Sequence, residues 1–320
     1  MNYRHAFHAG GYADVVKHAV LSLVLEYLKR KDAPFLALDS HAGRGRYNLA
    51  DAESERTGEA QSGIARLFAE TDVPTTLVPY LGVVRAFQEQ SDVLQWYPGS
   101  PRVVRALMRR QDRLFVAERH PEDAVALMSE FAGDRQVKVF PLDGYHAVRS
   151  FLPPRERRGL VLIDPPFESA DEFERLAEAL RDGLARWATG TFVLWYPIKR
   201  PSAVTAFLDD VVTSCGSRTA VALELLVSQP DGIRLAGCGL VVVNPPYTLS
   251  QDAEAFLPYL AKLFGGGYGA EGRIVPLCGS RAFGGFGSAR RSWGLRGSEG
   301  PAPIGVIRGM AHDFVFAPPA

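Results

Sequence analysis

The sequence predicts an α/β fold: a doubly wound, mostly parallel sheet with a helical insertion after its first strand. Three observations carry this. Seven short apolar runs read as strands, most nearly continuous in Val, Leu, Ile and Phe, as strands buried on both faces should be. Helical patterns separate most of them, and such alternation calls for parallel crossovers. The chain has 320 residues, 47% of them apolar, enough for one large domain with an insertion.

The elements follow in order. Val16, Val20, Leu23 and Tyr27 lie at i, i+4, i+7 and i+11, one apolar helix stripe. Lys29, Arg30 and Lys31 end that helix, where cations favour the macrodipole. The first strand is 35–39. From 47 to 113 no strand pattern is evident, only helical patterns at 63–69 and 77–90, so this stretch reads as the insertion. Strands follow at 114–118, 137–140, 160–164, 191–197, 222–228 and 238–244, with helices at 122–131, 171–186, 201–214 and 252–264. Beyond Pro276 the chain turns rich in Gly, Arg, Ser and Pro and cannot bury much apolar surface. The expectation is a domain at 1–276 and a disordered tail at 277–320.

Composition removes several classes. Formal net charge is zero, so any polyanion site must come from local clustering. Three scattered cysteines without a CxxC pair argue against a disulfide framework or thiolate zinc. No apolar stretch spans a bilayer, and the N-terminus lacks the apolar run of a signal peptide. A soluble, cytoplasmic monomer is expected. His5, His8, Asp14, His18 and His41 raise the question of a metal, but no ligand spacing of a known kind appears and none is expected.

Two motifs at strand ends carry chemistry. Ala42-Gly43-Arg44-Gly45 follows the first strand, where glycines let the backbone approach a ligand. Such a turn also fits an ordinary tight loop. The second motif, Asp164-Pro165-Pro166-Phe167, ends the fourth strand. An adenine amine is a poor nucleophile because its lone pair is delocalised into the ring. An Asp carboxylate accepting one N–H, and a backbone carbonyl accepting the other, favour a tetrahedral nitrogen able to attack a methyl group. The prolines hold the backbone extended with carbonyls available, and Phe167 offers a stacking face for an extruded base. Asn244-Pro245-Pro246-Tyr247 repeats this pattern. Its strand follows 222–228 through about ten residues, too few for a parallel crossover, so it runs antiparallel and delivers Asn244 to the wrong sheet edge.

Glu118 ends the second strand, where an acid commonly binds ribose hydroxyls, and Asp143-Gly144 follows the third, where the acid could bond an adenine amine. Both also suit plain strand-end caps. Arg102, Arg105, Arg109, Arg110 and Arg113, with Arg155, Arg157 and Arg158, suit a phosphate backbone or a solvated face.

At these residues the chain resembles the bacterial 23S ribosomal RNA adenine-N6 methyltransferases of the RlmJ type. The resemblance rests on Tyr3-Arg4-His5-Ala6-Phe7-His8-Ala9-Gly10, Lys17-His18, the stretch 39–45, Arg56-Thr57-Gly58, Tyr97-Pro98-Gly99-Ser100-Pro101, Asp164-Pro165-Pro166-Phe167, Leu194-Trp195-Tyr196-Pro197 and Asn244-Pro245-Pro246. It is collinear from residue 1 to about 276. It implies a Rossmann-like, seven-stranded S-adenosylmethionine methyltransferase sheet acting on one adenine of 23S ribosomal RNA, with the RNA taken before full subunit assembly. It implies cofactor contacts at Lys17, His18, His41, Gly43, Ser100, Glu118, Asp143, Gly144 and Asp164. Asp164 would be the catalytic acceptor, joined by Pro165 and Phe167, and Tyr3 would lie with Phe167 near the target base. Phe167 stands where members usually have Tyr, and the tail has no counterpart. The rival readings are a methyltransferase of DNA adenine or of a protein glutamine, and a non-catalytic RNA-binding protein on the same fold.

Overall fold

The computed structural model of the chain describes residues 7–51, 57–88 and 93–279. Helix α1 (Tyr12–Lys29) leads into β1 (Leu36–Asp39), all four residues of which are buried. The insertion follows: β2 (Arg46–Asn48), α2 (Glu59–Ser62), α3 (Ile64–Ala69), α4 (Val78–Ala86), β3 (Trp96–Pro98) and α5 (Ser100–Leu107). Alternation then resumes with β4 (Arg113–Ala117), α6 (Pro121–Glu130), β5 (Val137–Phe140), α7 (Gly144–Phe151), β6 (Gly159–Ile163), α8 (Glu172–Arg186) and β7 (Thr191–Ile198). The chain continues through α9 (Pro201–Cys215), β8 (Ala220–Leu226), β9 (Gly237–Val243), α10 (Leu249–Phe264) and β10 (Glu271–Cys278).

The main sheet runs β10-β8-β9-β7-β6-β1-β4-β5. Strands β5, β4, β1, β6 and β7 are parallel, β9 lies antiparallel between β7 and β8, and β10 pairs antiparallel with β8. Winding departs in both directions from β1, so the carboxyl ends of β1, β4 and β6 gather at one edge. Ligands of doubly wound sheets bind at such a switch point. Among the described residues no helix is long and apolar enough to cross a membrane.

Two expectations need correction. The sheet has eight strands rather than seven. Strand β10 escapes notice because Gly272 and Pro276 break its pattern, yet an edge strand tolerates proline, and its pairing runs to Cys278 opposite Ala220. The ordered domain therefore passes 276; residues 280–320 of the expected tail lie outside the described residues. The insertion is also not purely helical. Its ends are tied by a ribbon in which Tyr47 faces Tyr97 and the Arg46 guanidinium stacks 3.9 Å from the Trp96 ring centre. Strands of three residues show no period to read.

Helix α1 packs on α4, α5 and α10, with most of its length buried. Its C-terminal carbonyls are held from outside. Arg109 donates to the carbonyls of Lys29 (3.2 Å), Lys31 (2.7 Å) and Ala33 (3.2 Å), and Arg158 donates to those of Leu28 and Ala33. These guanidiniums satisfy the acceptors a helix end leaves open.

A candidate active site at the carboxyl edge of the sheet

Asp164 leaves the end of β6 and meets α1. Lys17 sets its Nζ 2.5 Å from Asp164 Oδ2 and 2.7 Å from Asp14 Oδ1, and Asp14 Oδ2 accepts the Gly10 N–H at 3.0 Å. The Lys17 and Asp14 side chains are 4% and 3% exposed and Asp164 12%, so this chain of charges is almost fully out of water. Burial pulls the Lys17 pKa down, but Asp14 and Asp164 outweigh it and hold the ammonium well above its ordinary value. One cation thus serves two carboxylates at the switch point.

Asp39, at the end of β1, lies in the same buried neighbourhood, 1% exposed. Burial pushes its carboxyl up to about 6, against the pull of Ser100, Lys17 and the His41 backbone and with a further push from Asp164. Ser100 opens α5, which places a residue of the insertion against the end of β1.

Beside these groups a cleft of about 260 Å³ opens between the ends of β1, β4, β5 and β6. His41, Gly43, Glu118, Asp143, Gly144, Asp164 and Pro166 line it. Ser40 Oγ donates to the Leu162 carbonyl (2.9 Å) and lies 2.8 Å from His41 Nδ1. One hydroxyl carries one proton, so Nδ1 must donate to Ser40, leaving Nε2 the acceptor. Burial lowers the His41 pKa to about 4, which keeps the ring neutral. Gly144 faces this ring; a Cβ there would stand 2.1 Å from the Ser40 carbonyl oxygen and 2.7 Å from His41 Nε2.

Glu118 accepts the Gly43 N–H at 2.8 Å through Oε2 and the His120 N–H at 2.6 Å through Oε1. Asp143 caps α7, accepting from the N–H groups of Tyr145 (3.0 Å) and His146 (3.2 Å), with Arg119 3.2 Å from its other oxygen. The cap and the cleft-lining role coincide in one residue. A carboxylate offers about four lone-pair positions, so Glu118 keeps capacity for hydroxyl donors after its two backbone bonds. A cradle with two acids, an acceptor imidazole and a glycine where no side chain fits suits the polar ribose, adenine and amino-acid parts expected of S-adenosylmethionine.

The loop after β6 turns sharply. Phe167 has φ +50°, a conformation costly for an aromatic residue. Its ring meets Phe173 edge-on at 4.9 Å and Trp195 of β7 at 5.7 Å. Pro165 is buried and Pro166 reaches the cleft.

Other sequence candidates lie elsewhere. His18 is fully buried behind the cleft, its Nδ1 2.8 Å from the Tyr97 hydroxyl, which in turn meets Tyr80 at 2.9 Å. His8 pairs with Glu59 at 2.8 Å. Tyr3 and His5 lie outside the described residues. Among the described residues no group of side chains could hold a metal ion. Four of the five clustered arginines are engaged within the molecule, Arg102 with Glu130, Arg105 with Asp134 (2.5 Å), Arg109 with Asp112 (3.0 Å) and Arg113 with Glu156 (2.5 Å), while Arg110 is exposed. Asn244 stands at the opposite sheet edge, its Nδ2 donating to the carbonyls of Ala188 (3.0 Å) and Gly190 (2.8 Å).

Two groups of weight went unread in the sequence: Asp14 and Lys17 as partners of Asp164, and Asp39. The i, i+3 spacing of Asp14 and Lys17 was the available signal; their third partner is 147 residues away.

The chain is similar to known proteins. A family model described as "Ribosomal RNA large subunit methyltransferase D, RlmJ" matches residues 32–273. The chain is 43% identical over 281 residues to the Ribosomal RNA large subunit methyltransferase J of Escherichia coli (strain K12), covering 86% of this chain and 99% of that protein. Identity to the protein of the same name from Haemophilus influenzae is 41% over 264 residues, covering 82% of this chain and 93% of that one. Among solved structures, protein LPL1258 from Legionella pneumophila superposes with a TM-score of 0.78 at 31% identity, covering 86% of this chain and 99% of that one.

Proposed function

This chain belongs to the RlmJ family of ribosomal RNA large subunit methyltransferases, and from that premise we propose that it methylates N6 of one adenine in 23S ribosomal RNA, using S-adenosylmethionine. When bound, the cofactor supplies an electrophilic methyl group. Glu118 and Asp143 would receive its hydroxyl and amine donors, His41 Nε2 one more donor, and the Gly43 turn and Gly144 would allow its close approach.

The observation that carries the reading is the buried run Asp14–Lys17–Asp164 at the switch point. The Lys17 ammonium bonds Asp164 Oδ2, which leaves Oδ1 to receive the adenine amine. The Pro165 carbonyl takes the second N–H. With both N–H groups bonded, the nitrogen lone pair leaves the ring system and becomes available. Phe167, braced by Phe173 and Trp195, provides the face on which the extruded base stacks. The residues mainly align; alignment of this kind is worth about 7–11 kcal/mol.

Extruding a base costs least where RNA is not locked in a finished particle, so we take RNA before full subunit assembly as the substrate and a cytoplasmic monomer as the working form. The test is radiolabelled methyl transfer to protein-free 23S ribosomal RNA, assembled large subunits and duplex DNA in parallel, with Asp164→Asn as control. Label on the adenine of protein-free RNA, lost in the variant, is the expected result. Equal label on duplex DNA would overturn the substrate assignment.

A further inference from the structure

Strand β7 outruns its parallel neighbour. The last pair between β6 and β7 is Ile163 with Leu194, whereas β7 and β9 stay paired to Ile198 and Gly237. Four residues of β7 thus rise about 13 Å past the loop that holds Asp164 and Phe167. The backbone ladder continues beyond the strands. Ala236 N–H donates to the Ile198 carbonyl (2.9 Å), Val227 N–H to the Ala236 carbonyl (2.9 Å) and Gly266 N–H to the Val227 carbonyl (3.2 Å). These bonds tie the end of β7, the β8–β9 hairpin and the α10–β10 loop into one ledge across four strands, roughly 14 Å wide at ordinary strand spacing.

The ledge carries exposed cations and exposed rings. Lys199 and Arg200 follow β7 directly and are exposed, and neither has an acidic partner among the described residues. The helix that starts after them, α9, has no acid in its first turn. In contrast, Arg102, Arg105, Arg109 and Arg113 are consumed by internal carboxylates. Along the ledge Ile233 is 75% and Tyr268 90% exposed. Unpaired cations at one end of the ledge and a solvent-facing ring at the other match a single-stranded polyanion with stackable bases better than they match a protein or small ligand.

Resting on the reading above, we propose that this ledge binds the RNA strand flanking the target adenine, with Lys199 and Arg200 on phosphates and Tyr268 stacked on a neighbouring base. The base enters beside Phe167 and its strand runs out along the wall that β7 raises. Neither the Arg stripe of α5 nor net charge supplies this affinity.

The test measures the affinity of the full chain for protein-free 23S ribosomal RNA by titration at several salt concentrations, without cofactor, for wild type, Lys199→Ala/Arg200→Ala, Lys199→Arg/Arg200→Lys and Tyr268→Ala. The double alanine variant should lose about 1.4–1.8 from the slope of log K against log salt, near 0.7–0.9 per phosphate contact. Its KM for RNA should rise at least fivefold, with turnover at saturating RNA within twofold of wild type. The charge-conserving swap should keep wild-type slope and KM. Tyr268→Ala should weaken binding about fivefold with the slope unchanged. A folded double alanine variant with wild-type affinity and slope overturns the proposal. So does a defect seen only with assembled subunits, which would make the ledge a protein contact. Absence of methyl transfer by wild type on the same RNA sinks the enzymatic reading instead, and leaves the binding result standing by itself.

Discussion

Two stretches of this chain spell nearly the same motif and stand at opposite edges of the sheet. Asp164-Pro165-Pro166-Phe167 follows the parallel strand β6, and its Asp164 and Pro166 line the cleft. Asn244-Pro245-Pro246-Tyr247 ends β9, antiparallel to β7, and stands beside Thr191 at the other edge. There Asn244, with φ +52°, ties three segments together. Its N–H donates to the Thr219 carbonyl (2.9 Å), its side chain to Ala188 and Gly190, and its carbonyl accepts the Thr191 hydroxyl (2.9 Å). Asn adopts positive φ at little cost, whereas the same backbone conformation is costly at Phe167. Strand direction, not residue type, sends the two motifs to opposite edges of the sheet.

The strongest test of that contrast is Asp164→Asn. Turnover should fall about 10²–10⁴-fold with S-adenosylmethionine affinity within a few-fold of wild type; a folded variant retaining a tenth of the rate would falsify the assignment. Lys17→Met comes next. It leaves Asp14 and Asp164 without their shared cation in a dry site, so stability should drop about 3–5 kcal/mol by denaturant titration, with activity lost as well. A stable, active Lys17→Met protein would mean the buried run is incidental.

Asp39 sharpens the picture through pH. Its folded pKa, about 6, exceeds the ordinary 3.8, so ionising it costs stability. The penalty is absent below about pH 4, grows as pH rises through 6, and is complete above. Asp39→Asn should therefore stabilise the fold at pH 8 by at most about 3 kcal/mol, and by almost nothing at pH 4. Equal effects at both pH values would show that folding leaves the Asp39 carboxyl unshifted. Asn244→Ala should cost about 1–3 kcal/mol while single-turnover chemistry stays at the wild-type rate. A large fall in that rate would break the contrast between the motifs. Smallest of all, deleting 280–320 should leave turnover at saturating RNA unchanged; loss of turnover by the folded truncation would put the tail in the site.

Much of this was legible in the sequence. The continuous apolar runs gave five parallel strands in order, and the ten-residue link before β9 correctly implied reversal. What stayed hidden depends on distance along the chain. Arg102, Arg105 and Arg113 look like a phosphate-facing stripe until Glu130, Asp134 and Glu156, 28 to 43 residues on, are seen to take them. Lys17 reads as one end of a helical ion pair until β6 brings Asp164 to it. Strand β10 hides because edge position forgives the glycine and proline that break a pattern. Periodicity reports which face is buried, and says nothing of which distant charge completes a pair.

The guanidiniums of Arg109 and Arg158, gripping the far end of α1, give that helix the character of a lever on a fixed pivot. Twelve residues separate Lys17 from Lys29, about 18 Å of helix, so a tilt of about 3° at the pivot moves the ammonium by about 1 Å. Misplacements of that size can cost a hundredfold in rate. Angular change at one end of the helix thus becomes displacement of the ammonium at the other, although Arg109 and Arg158 line no part of the cleft.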